Sequence, residues 1–111
     1  MALELNVNNI EEFQDMIDNK DFKISESIIK TILNNVNTKK KHIHIISINV
    51  LENDTTLDIT LEKKFFIETL EENLKYFIEH ERYEDCQNIV NAINQLKSVD
   101  NSTKKKKTKQ N

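Results

Sequence analysis

Leu3, Leu5 and Val7 alternate with polar residues, and this period of two predicts a short strand at the start of the chain. Ile10, Phe13 and Ile17 then fall on one helical face. Asn9 has the chemistry of an N-cap, with Glu12 three residues on as a capping-box variant, so a helix is expected over about 10–18. A second helical stripe runs through Ile28, Ile29, Ile32, Leu33 and Val36. Ser25 is its expected N-cap, with Ile24 and Ile29 at staple spacing, and Lys39 to Lys41 are expected to complement its negative end.

Between 42 and 62 the period changes from helical to alternating. Ile46, Ile48 and Val50 alternate, and so do Leu57, Ile59 and Leu61. Asn53-Asp54 between them suits a two-residue type I′ turn, because both residue types tolerate positive φ. That turn pairs Val50 with Leu57, Ile48 with Ile59 and Ile46 with Leu61. All six apolar side chains then lie on one face, with Ser47, Asn49, Asp58, Thr60 and Glu62 on the other. Ile43, Ile45 and Leu51 fall on the opposite face, and a bulge near Ile45, or a helix covering both faces there, would resolve most of the conflict.

Residues 65–97 read as two helices. Phe66, Leu70, Leu74, Phe77 and Ile78 mark the first, and Tyr83, Cys86, Ile89, Val90, Ile93 and Leu96 the second. The break at His80-Glu81-Arg82 is so short that the helices must form an antiparallel hairpin. On the first helix, Glu71 and Lys75 stand at ion-pair spacing. The predicted fold class is therefore α+β. It comprises two N-terminal helices, a β-hairpin that the N-terminal strand can extend to three strands, and a C-terminal helical hairpin. Helical layers would cover the apolar sheet face. One domain over 1–98 is expected, with 99–111 as a disordered lysine-rich tail.

Composition removes several function classes. The chain has 111 residues and neither glycine nor proline. Phosphate loops, dinucleotide fingerprints and nucleophile elbows all need glycine at strained backbone positions. Turns must be made by other residues, and positive φ is expected at Asn53, Asp54 and Asn19. A mean hydropathy of -0.64 and apolar runs of two or three residues exclude a membrane span. The first residues lack the basic and apolar regions of a secretory signal, and a single cysteine, Cys86, fits a reducing cytoplasm. Asn, Ile and Lys occur 15 times each and arginine once, a usage favoured by AT-rich genomes. Tailed phages, AT-rich bacteria and some protists fit that usage, and in composition the chain resembles small proteins of tailed phages, for which the site of action would be the host cytoplasm.

The net charge of -3 is unevenly placed. Five lysines (Lys104, Lys105, Lys106, Lys107 and Lys109) lie in the last eleven residues, leaving 11 basic and 19 acidic side chains in the first hundred, a charge of -8. An acidic body disfavours docking on nucleic-acid phosphates and suits a basic protein partner. The lysine tail admits a solubility role, an import signal or a non-specific nucleic-acid contact, although no aromatic residue interleaves to stack on bases.

No catalytic set is legible. His42 and His44 point to one strand face and with Cys86 would begin a zinc site, but three or four ligands are needed and no CxxC or HExxH spacing exists. The pair reads as polar strand-end residues. Cys86 sits on an apolar stripe, where a thiol is inert. The acid clusters Glu11-Glu12, Glu71-Glu72 and Glu79-His80-Glu81 read as solvated helix surface. No catalytic, cofactor-binding or metal-ligating residue is therefore assigned.

Leu70, Leu74, Tyr83-Glu84, Cys86, Ile89, Ile93 and Leu96 are spaced like the landmarks of the UVR motif. These 27 residues, 70–96, resemble that helical hairpin, which occurs in excision-repair proteins and chaperone adaptors. Val90-Asn91 stands where the motif has an Arg-Asp pair, and Phe77 where it has alanine. The resemblance implies a protein–protein contact. Tyr76, Arg82, Tyr83 and Glu84 around the turn are the expected contact residues. A non-enzymatic interaction or regulatory protein is thus the leading expectation. The alternatives are a nucleic-acid-associated protein using its tail and a structural protein that self-associates, for example as a homodimer through Tyr76 and Ile43.

Overall fold

The computed structural model describes residues 3–19 and 21–110, with side chains to Val99. The fold is α+β and forms two compact units, Met1–Phe66 and Ile67–Asn111. In the first, β1 (Leu3–Val7) leads through α1 (Ile10–Asp18) and α2 (Phe22–Leu33) to the central strand β2 (His42–Val50) and then β3 (Thr55–Glu62). The second contains most of α3 (Phe66–Glu79) and α4 (Tyr83–Gln110). The expected disordered tail, 99–111, lies almost wholly outside the residues whose side chains are described.

The N-terminal segment is a true third strand. β1 pairs parallel with β2, Leu3 opposite Ile46 and Val7 opposite Val50, while β3 pairs antiparallel on the other side of β2. Parallel neighbours need a crossover, which α1 and α2 supply. Both helices touch β1, and α2 also touches β2. Leu3, Leu5 and Val7 thereby join Ile46, Ile48 and Val50 on one face. Val7, Ile46, Ile48 and Val50 are all buried, as are Ile24, Ile29 and Ile32 of α2.

The hairpin register differs from the expected one by two residues. Ile48 pairs with Leu57, and Val50 with Thr55. The cause is the turn. Leu51–Asn53 form a 3₁₀ turn and Asp54 is left-handed at φ 52, so four residues rather than two connect the strands. Asn53 therefore does not take positive φ. A slip of two keeps every side chain on its face, so the apolar face survives the change. The bulge expected near Ile45 is present between His44 and Ile46, and it brings Ile43 opposite Leu61. Ile43 and Ile45 are both buried.

The α1 cap matches its sequence: Asn9 Oδ1 accepts from Glu12 N at 2.9 Å, and Glu12 Oε2 accepts from Asn8 N at 3.1 Å. Helix α2 starts earlier than expected. Asp21, not Ser25, is its N-cap, accepting from Lys23 N at 2.9 Å, and Ile24 lies inside the helix rather than stapling its entry. Asp21 and Ser25 are both good caps; starting at Phe22 adds the buried Ile24 to the helix face. Lys39 to Lys41 follow the last helical residue by six or more positions, beyond the turn where a cation feels the dipole. Asn19 closes α1 at φ -82, not left-handed, because its N–H still reaches back to Asp15 O at 2.9 Å.

In the second unit α3 and α4 form the expected antiparallel hairpin. Leu70, Phe77, Ile89, Ala92, Ile93 and Leu96 are buried. At the end remote from the turn, Lys97 Nζ lies 3.5 Å from Glu71 Oε2, so Glu71 pairs across the hairpin and not with Lys75.

Candidate functional site

The hairpin turn concentrates the residues singled out by sequence. Helix α3 closes with two backbone bonds: Glu81 N donates to Ile78 O at 3.0 Å, and Arg82 N to Phe77 O at 2.9 Å. This pair of bonds is the Schellman pattern, which needs a left-handed residue where glycine is usual. With no glycine in the chain, Glu81 takes that position at φ 56. Arg82 O then accepts from Cys86 N at 2.9 Å, opening α4 immediately. The hydrogen bonding makes the turn short and stiff.

Arg82 is anchored from two sides. Its Nη2 lies 2.7 Å from Asp85 Oδ2, and its guanidinium sits 6.0 Å from the Phe77 ring centroid. Glu84 and Asp85 occupy the first turn of α4, where negative charge meets the positive end of the helix dipole. Tyr83 is 63% exposed and Ile78 50% exposed, one on each side of the turn. Tyr76 is half-buried, with Lys75 Nζ 5.2 Å from its ring centroid and its carbonyl accepting from His80 Nδ1 at 2.8 Å. Arg82, Tyr83 and Glu84 thus share the turn, while Tyr76 is set back in α3. Burial, then the Asp85 charge, push the half-buried Cys86 thiol above its ordinary range.

Ile78, Tyr83 and Val90, expected on the apolar stripes of the hairpin, are exposed, whereas Phe77 and Ile89, the neighbours of Ile78 and Val90, are buried. Adjacent residues on a helix point about 100° apart, so two neighbours cannot both lie at the centre of one stripe.

A second constellation appears only in the structure, on the polar face of the sheet. Asn49 Nδ2 donates to Asn6 Oδ1 at 2.7 Å and Glu4 Oε1 at 3.1 Å, and its Oδ1 accepts from Thr56 Oγ1 at 3.0 Å. Ser47 Oγ donates to Asp58 Oδ1 at 2.8 Å and lies 2.9 Å from His44 Nε2. Serine, histidine and aspartate together invite comparison with a hydrolytic triad. The geometry differs, because the same Nε2 faces Ser47, Ile46 O at 3.1 Å and Asp58 at 3.5 Å. A triad holds the second ring nitrogen with the carboxylate and leaves the serine proton for the first. Here that proton goes to the aspartate, and the set acts as cross-strand pairing.

His42 and His44 lie on β2 and Cys86 on α4. Among the described residues, no three His, Cys, Asp or Glu side chains are grouped to hold a metal ion. Among them also, no helix is long and apolar enough to cross a membrane. Lys104 to Lys107 and Lys109 lie outside the residues whose side chains are described. No family model matches the chain, and no curated protein or solved structure shows significant similarity to it.

Proposed function

We propose that this chain is a small non-enzymatic protein that binds a larger protein through the turn of its α3–α4 hairpin. The observation that carries the reading is the exposure of two large apolar side chains, Ile78 and Tyr83, beside a turn held by its own backbone bonds. A rigid turn loses little entropy on docking, and tyrosine is among the residues that dominate interface energies. Arg82, fixed by Asp85, presents an oriented cation beside them. The resemblance of 70–96 to the UVR hairpin points to the same use. The acidic balance of residues 1–100 favours a partner with a basic surface.

The test is site-specific photocrosslinking in source-cell lysate, with a benzophenone side chain at position 83. A single protein captured there, and lost when Ile78→Gln is added, supports the reading. Absence of any crosslinked protein, or capture indifferent to Ile78→Gln, refutes it.

A further inference from the structure

The first unit carries a groove at the tip of the β2–β3 hairpin. It is a depression of about 360 Å³, open to solvent, between the start of α1 and the hairpin loop. Its apolar lining is Ile10, Val50 and Leu57. Val50 is buried, but Ile10 is 48% and Leu57 40% exposed. The volume is at the small end for a binding site and suits one or two aliphatic side chains.

Two features say what would fill it. Helix α1 has an apolar stripe of Ile10, Phe13 and Ile17, yet contains no buried residue, so the stripe that begins at Ile10 in the groove is left partly uncovered. The rim is acidic. Glu11 and Glu52 both line the depression, and neither carboxylate has a hydrogen bond or ion pair among the described residues. Glu12, by contrast, is engaged by Asn8 N. An apolar lining beside two exposed glutamates is complementary to an aliphatic side chain flanked by cations.

We propose that this groove docks a basic peptide segment of a partner protein, with one or two leucine-type side chains on the floor and lysine or arginine against Glu11 and Glu52. The groove belongs to the first unit and the hairpin turn to the second, and the proposal does not rest on the turn.

The probe is a fluorescent peptide, Lys-Arg-Leu-Leu-Arg-Lys, titrated with the full chain by anisotropy and followed by amide chemical shifts. Saturable binding is expected, with shifts centred on Ile10, Glu52 and Leu57. Replacing the two leucines by serine should weaken it roughly tenfold. Ile10→Gln and Glu52→Gln, both at exposed side chains, should each weaken it by roughly threefold or more. Adding salt should weaken it further. A peptide of residues 101–111 carries five lysines and no aliphatic anchor; it should bind more weakly than the leucine peptide. Equal binding by that peptide would mean that charge alone, or the chain's own tail, occupies the site, and would overturn the proposal. So would shifts centred elsewhere, indifference to Ile10→Gln, or no binding at millimolar peptide.

Discussion

Glu81→Gly should stabilise the helical hairpin. A residue with a Cβ costs about 1–2 kcal/mol in the left-handed region, from crowding against the backbone carbonyl. Glu81 sits there at φ 56. Glycine removes that cost but gains about 0.4–1 kcal/mol of freedom in the unfolded chain. The net gain should be about 0.5–1 kcal/mol. The charge lost is close to neutral in effect, since Glu81 follows the negative end of α3 and precedes the positive end of α4. The two backbone bonds of the turn, from Glu81 N and Arg82 N, are retained. For a domain of this size the gain corresponds to a rise in Tm of roughly 2–6 °C. Thermal and urea unfolding followed by circular dichroism would measure it. Glu81→Ala is the decisive control, because it removes the carboxylate and keeps the Cβ; it should show none of the gain. A glycine variant no more stable than the alanine variant would refute the strain argument.

Other substitutions probe the first unit and the lone thiol. Asn9→Ala removes the acceptor for Glu12 N and should cost about 1 kcal/mol in urea unfolding, while Asn9→Asp should be nearly neutral. Ile48→Ala should cost about 2–5 kcal/mol because Ile48 is fully enclosed on the central strand. Leu57→Ala, at the residue directly opposite, should cost less, about 1 kcal/mol, since Leu57 is 40% exposed and has less apolar surface to lose. Cys86 should be alkylated more slowly than a free thiol at mildly alkaline pH, with its rate-against-pH curve displaced to higher pH. Asp85→Asn removes a neighbouring negative charge that disfavours the thiolate, so alkylation should speed up, as a rate-against-pH profile would show.

The hairpin shows what a pattern can and cannot specify. Alternation assigns each side chain to a face, and face assignment depends only on whether a residue is odd or even along the strand. Pairing Ile48 with Ile59 or with Leu57 is therefore equally consistent with the pattern. The four-residue loop over Leu51–Asp54 chose the second. The turn of the proposed contact site is legible at His80-Glu81-Arg82, where one helical stripe gives way to the next. The exposure of Ile78 and the Ile10–Leu57 groove are not, because composition cannot separate an apolar residue that packs from one left open.

By itself the sequence determined the order of the elements, the Asn9 cap of α1, the presence of the helical hairpin and the sheet faces, and it marked Ile45 as a place where a bulge would relieve the pattern. These are short-range features, written in spacing and in the chemistry of one or two side chains. Only the tertiary structure decided that Leu3–Val7 lies parallel beside β2, that α2 is capped by Asp21 and begins at Phe22, and that Glu81 carries the left-handed turn. Each depends on which of several locally adequate choices lets distant segments bury apolar surface and pair backbone groups together, and that choice is not local.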